Sequence, residues 1–274
     1  MHEGDMQKMA PETFTYRDKP VYYYKTGEGP PLLVLHGWGS RASVMLPLAQ
    51  ELSGIRTCYI PDLPGFGDSP PPDRAWSVDD YADFTEAFSA EVIGKEQPVD
   101  LLAHSFGGRV TLKWCRRNDG RDRVRQVVIT GGAGMKPRRT FSYYRRRFIA
   151  MALKAPFQLL PGSLKCKATE WLRSTKIWKS LGSSEYQQLD GVMRETFVKT
   201  VSEHLESCLP EIQHEVLLLW GKEDPATPWY QAERMERGLK NGALVGIDGA
   251  GHYAFLDQPD RFVRIVRAFY QDAG

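Results

Sequence analysis

Five short apolar runs, at residues 32–35, 57–60, 99–103, 124–130 and 216–220, each stop at a turn rich in small or chemically active residues. The first meets His36-Gly37, the second Pro61-Asp62, the third Ser105, the fourth Gly131-Gly132 and the fifth Gly221. Runs this short, without polar alternation, describe strands buried on both faces, as in a parallel sheet. Residues 78–93, 107–117 and 228–239 between them carry helical periodicity instead. Strands alternating with helices predict an α/β fold, a mostly parallel central sheet flanked by helices. Residues 14–16 and 21–25 read as a hairpin before that sheet. No apolar stretch approaches the ~18 residues of a membrane span.

The rhythm breaks between 133 and 210, where no clear buried strand occurs. Phe141, Tyr144, Phe148, Met151, Ala152 and Ala155 recur at helical spacing there. This predicts a helical insert, 133–210, in a core made of 1–132 and 211–274. Its charge is lopsided. Residues 133–169 hold nine Lys and Arg and no Asp or Glu, so they carry +9, against −7 for the remainder of a chain whose net charge is +2. Arg145, Arg146 and Arg147 would cover most of the polar face opposite Tyr144, Phe148 and Met151. A solvated face and an anion-binding face both fit that pattern, then a membrane surface. Nucleic acid ranks last, because no recognition motif accompanies the charge and the whole-chain pI is only about 8.3. The four cysteines are widely spaced and no histidine pair has zinc-ligand spacing, so neither a disulfide scaffold nor a metal site is expected. With no basic-then-apolar leader in the first ten residues, the expected location is the cytoplasm.

The chemistry starts at Ala103-His104-Ser105-Phe106-Gly107-Gly108, between a buried strand and a helix. A tight strand-to-helix turn holds the serine Oγ clear of the backbone and admits only small residues two before and two after it, here Ala103 and Gly107. Alone, this pattern equally describes a helix N-cap serine. A serine nucleophile needs a base, normally a histidine held by a carboxylate. Of the six histidines, His2 lies at the terminus, His36 and His104 flank strand ends, and surface roles are the default for His204 and His214. His252 stands in the glycine-rich loop Gly249-Ala250-Gly251-His252, placed for a cleft. For the acid, Glu223 and Asp224 both follow the fifth run, and the shorter Asp224, followed by Pro225, is preferred. His36-Gly37-Trp38-Gly39 suits a loop that donates to an oxyanion, with the backbone N–H groups of Trp38 and Phe106 as the two donors.

Taken together, the sequence resembles the α/β-hydrolase superfamily over nearly its whole length. The resemblance rests on the His36-Gly37 loop, the Asp62–Ser69 strand-end segment, the serine turn, the Asp224 loop and Gly251-His252, in the order Ser, Asp, His. It implies a serine hydrolase with Ser105, Asp224 and His252 as its triad and no metal or organic cofactor. It also implies that 133–210 is a cap, or lid. Ser105 argues against the superfamily's dehalogenases and epoxide hydrolases, which use an Asp nucleophile.

More narrowly, the HGWG loop and arginine-rich cap are similar to the pimeloyl-[acyl-carrier protein] methyl ester carboxylesterases of biotin synthesis. There, cap arginines hold an acidic carrier protein, which points to Arg138, Arg139, Arg145, Arg146 and Arg147. An apolar acyl chain would then contact Trp38, Phe141, Tyr144, Phe148 and Tyr253. Two rivals remain: a carbon–carbon bond hydrolase of ring-cleavage products, and a ligand receptor of the same fold without turnover.

Overall fold

The structure, a computed structural model, describes residues 9–117, 122–138 and 191–271, with scattered positions between 148 and 189. Strands β1 (Glu12–Tyr16), β2 (Lys19–Thr26), β3 (Pro31–Leu35), β4 (Thr57–Pro61), β5 (Val99–His104), β6 (Val124–Thr130), β7 (Glu215–Gly221) and β8 (Gly242–Ile247) form one sheet. Its order is β1-β2-β4-β3-β5-β6-β7-β8. β1 and β2 form the expected hairpin and β2 pairs antiparallel with β4, whereas every pairing from β4 through β8 is parallel.

The unalternating runs are explained by cover on both faces. Leu33, Leu35, Ala103, Ile129, Leu218 and Trp220 pack with helices α2 (Val78–Phe88), α3 (Phe106–Arg116) and α5 (Trp229–Gly238). Leu32, Val34, Leu102, Val128 and Leu219 face the other way, against α1 (Ala42–Leu52), the short α6 (Ala254–Asp257) and α7 (Pro259–Gln271). Each fully buried Leu, Ile or Val contributes about 1.5–3 kcal/mol of transfer free energy, so both layers hold the sheet. Helix α1 was not singled out by periodicity, although Ala42, Met45, Ala49 and Leu52 lie buried at helical spacing around Pro47. His214, expected at the surface, is buried at 7% exposure.

Within the interval 133–210 the described residues include helix α4 (Gly191–Ser202) and the 3₁₀ turns Ala155–Leu159 and Glu206–Glu211. Helix α4 is tied to the start of α2. Thr196 Oγ1 accepts the Trp76 N–H at 3.0 Å, and Lys199 Nζ donates to the Ala75 carbonyl at 2.9 Å. The start of α2 is itself fixed by a reciprocal cap. Ser77 Oγ accepts the Asp80 N–H and Asp80 Oδ2 accepts the Ser77 N–H. Among the described residues no helix is long and apolar enough to cross a membrane.

Candidate active site

The chain reverses its winding direction at β3 and β5, which are neighbours in the sheet. Crevices in open α/β sheets form at the carboxyl ends of strands where the order reverses. Here those ends carry His36-Gly37-Trp38 and His104-Ser105-Phe106.

Ser105 adopts φ 51°, ψ −107°, a rare backbone conformation for a residue with a side chain. It is held from both sides. Its N–H donates to the Thr130 carbonyl at 3.0 Å, and its own carbonyl accepts the N–H groups of Gly108 and Ala133, each at 3.0 Å. The turn is tight because α3 starts against β3. A Cβ on Gly107 would lie 2.6 Å from the Leu35 carbonyl oxygen. Gly37 is equally constrained, since a Cβ there would come within 2.9 Å of His104 Nδ1 and 3.3 Å of Ser105 Cβ. The Trp38 and Phe106 rings meet edge-on, with centroids 5.2 Å apart.

The His36 imidazole braces this loop from inside the protein. Its Nδ1–H donates to the Gly37 carbonyl at 2.8 Å, while Nε2 accepts the Leu63 N–H at 3.0 Å. That arrangement is the neutral tautomer, consistent with burial holding the His36 pKa below the usual histidine value. Asp62 serves turns, accepting the N–H groups of Ala42 at 2.6 Å and Asp68 at 2.9 Å.

Asp224 and His252 arrive from the ends of β7 and β8. The two strand ends approach so closely that a Cβ on Gly221 would sit 2.1 Å from the Gly251 carbonyl oxygen. His252 Nδ1–H donates to Asp224 Oδ2 at 2.8 Å. The carboxylate also accepts the Thr227 hydroxyl at 2.7 Å on Oδ2, and the N–H groups of Ala226 and Thr227 at 2.8 and 2.9 Å on Oδ1. Burial pushes the Asp224 pKa up, but the bonds from His252 and Thr227 outweigh it and hold the carboxyl below its usual range. Its neighbour Glu223 turns elsewhere, accepting the Ala250 N–H at 3.0 Å.

Ser105 and His252 line one cleft of about 280 Å³, together with Gly37, Trp38, Phe106 and Tyr253. Among the further lining residues, Arg109, Phe197 and Val201 carried no expectation from sequence as site residues. Phe197 meets Trp38 edge-on at 5.2 Å. Arg109 is an arginine one turn past the turn serine, a spacing that could have drawn notice. Phe197 and Val201 lay in a stretch of mixed pattern that gave no comparable signal.

Phe148 is 73% exposed and lies outside this lining. Arg138 stacks its guanidinium over the Tyr230 ring, 4.5 Å from the centroid. Phe141, Tyr144, Arg139, Arg145, Arg146 and Arg147 lie outside the described residues. Among the described residues no cluster of His, Cys, Asp and Glu could hold a metal ion.

A serine on a strained strand-to-helix turn, sharing a cleft with a carboxylate-bound histidine, is the arrangement of a hydrolase fold. Residues 32–265 match the alpha/beta hydrolase family, and the chain belongs to it. A pimeloyl-[acyl-carrier protein] methyl ester esterase from Nitrosomonas europaea is 24% identical over 89% of this chain and 96% of its own. Among solved structures, a bacterial membrane phospholipase A superposes with a TM-score of 0.73 at 23% identity, covering 96% of this chain and 86% of the other. A meta-cleavage product hydrolase from Pseudomonas fluorescens gives 0.71 at 19%, covering 98% of this chain and 100% of the other.

Proposed function

We propose that this protein is a serine hydrolase that cleaves carboxylic esters of apolar acyl chains. The observation that carries the reading is the strained Ser105, φ 51°, in one cleft with His252, whose Nδ1 is held by Asp224 at 2.8 Å. His252 takes the Ser105 hydroxyl proton as Oγ bonds to the ester carbonyl carbon. The tetrahedral oxyanion is met by the N–H groups of Trp38 and Phe106. Collapse breaks the C–O bond to the alcohol, which leaves with the proton from His252. Water, deprotonated by His252, then attacks the acyl-enzyme, releasing the acid and restoring Ser105. Asp224 fixes the imidazole tautomer and stabilises its cation.

The acyl chain would lie along Trp38, Phe197, Val201 and Tyr253, under a cap formed by 133–210. A substrate held on an acidic acyl carrier protein fits the +9 charge of residues 133–169 and the name of the Nitrosomonas relative. Arg138, Arg139, Arg145, Arg146 and Arg147 would make that contact. The ring-cleavage reading has likeness of fold alone behind it.

The test is a panel of p-nitrophenyl and methyl esters of increasing acyl length, assayed with the protein and with Ser105→Ala. Turnover lost in Ser105→Ala supports the reading. Equal background rates in both across the panel overturn it.

A further inference from the structure

Among the described residues, Arg109 is the one Lys or Arg lining the cleft, and no Asp or Glu lines it. Arg109 is nevertheless buried, at 8% exposure. It sits on α3 four residues after Ser105, which precedes the helix, and both side chains line the same cleft. Its partners leave much of the guanidinium unused. Nη1 donates to the carbonyls of Thr200 at 3.0 Å and Glu203 at 2.5 Å, while Nε and Nη2 make no hydrogen bond among the described residues.

Those carbonyls close the C-terminal end of α4, and a helix end presents only about half a negative charge. The neighbouring carboxylate is already engaged: Glu203 pairs with Lys113 Nζ at 2.5 Å, and no carboxylate among the described residues lies within ion-pair distance of Arg109. Burial accordingly draws the Arg109 pKa down to about 10, with Glu203 and Glu206 only partly opposing it. A buried cation is costly unless it is paired, and a guanidinium fork matches a carboxylate better than any other side chain does.

We propose that Arg109 forms an anion subsite that receives the distal carboxylate of a dicarboxylic half-ester while the ester carbonyl lies at Ser105. The proposal rests on the ester-hydrolase reading for its chemistry and adds the class of acyl group. The Trp38 and Phe197 rings would flank the methylene chain between the two ends.

The test compares monomethyl adipate with methyl hexanoate, which share chain length and differ in the distal carboxylate. The expected result is that the protein favours the half-ester in kcat/KM by about tenfold to a hundredfold, the range for a hydrogen bond to a charged group. In Arg109→Met that preference should fall at least tenfold, mainly through KM, and Arg109→Lys should retain an intermediate preference. No preference in the unmodified protein, or an equal loss on both esters in Arg109→Met, overturns the subsite.

Because Arg109 also ties α4 to α3, a binding measurement on the intact pocket runs alongside. Calorimetry on Ser105→Ala should show monomethyl adipate binding at least tenfold more tightly than methyl hexanoate, which lacks the distal carboxylate. Equal affinity overturns the subsite. Selective half-ester binding without turnover of either ester by the unmodified protein would leave the subsite standing and overturn the ester-hydrolase reading.

Discussion

The His104 ring packs on the His252 ring with centroids 4.7 Å apart, and its Nε2–H donates to the His252 carbonyl oxygen at 3.1 Å. His104 thus grips the backbone of the very residue whose side chain faces the cleft. Burial, with the neighbouring His252 acting in the same direction, holds the His104 pKa down to about 3. An unfolded histidine takes up a proton below about pH 6.5, whereas this one stays neutral in the folded protein. The unfolded state therefore binds more protons, and stability falls as the pH drops from 6.5 towards 3. The slope is about 1.4 kcal/mol per pH unit. Between pH 7 and 5 His104 should account for a loss of about 2 kcal/mol in urea unfolding, with buried His36 adding to it in the same direction. His104→Gln should flatten that dependence; an unchanged slope would show that the buried ring is not its source.

Asp224→Asn keeps the shape of the loop but removes the anion that holds His252. The amide can present its NH₂ to the ring and favour the wrong tautomer. The expected loss in kcat is about 10⁴-fold, with a folded, cooperatively unfolding protein by circular dichroism. Retention of more than a tenth of the activity would remove Asp224 from the mechanism.

Ser105 stores backbone strain that glycine would not. A residue held in a rare φ/ψ region costs about 1–3 kcal/mol, partly offset in glycine by about 0.5–1 kcal/mol of extra unfolded-chain entropy. Ser105→Gly should therefore be more stable than Ser105→Ala by about 1 kcal/mol, both being inactive. Paired denaturation curves decide this, and an equal or lower midpoint for the glycine variant counts against strain at the turn.

Asp100 is fully buried between Arg56 at 2.8 Å and Arg125 at 2.7 Å. Arg56 also donates to the Tyr270 carbonyl at 2.6 Å, joining the start of β5 to the end of α7. Asp100→Ala strands Arg56 without its anion and should cost about 3–5 kcal/mol. Thermal and urea unfolding would measure it. A loss under 1 kcal/mol would mean that water or a shifted side chain replaces the carboxylate.

Charge reversal of Arg145, Arg146 and Arg147 to Glu tests the carrier contact. KM for a carrier-bound ester should rise, and rise less in high salt, while small free esters are hydrolysed as before. Equal effects on both substrates would remove the carrier from the account of this charge.

Much of the fold was legible because it is written locally. Runs such as 32–35 and 216–220 lack alternation because Leu32 and Leu33, or Leu217 and Leu218, each meet a helix layer on opposite faces. The serine turn was legible for a similar reason, since Ala103 and Gly107 are what so tight a turn admits. Helix α1 escaped notice, its apolar spacing being broken up by Pro47. His214 was placed outside because nothing local announces the packing that buries it.

By itself, then, the sequence determined the alternation of strands and helices, the Ser105 turn and the chain order of Ser105, Asp224 and His252. Tertiary structure brought the preferred acid to the histidine: Asp224 reaches His252, while Glu223 turns to the Ala250 N–H. It alone brought Arg109, Phe197 and His104 to the cleft, through contacts such as Arg109 to Thr200, 91 residues apart, and His104 to His252, 148 apart. The reason is physical. Periodicity and turn chemistry report which face of an element is buried, but which strand ends converge depends on sheet order, and that is settled by packing between distant segments.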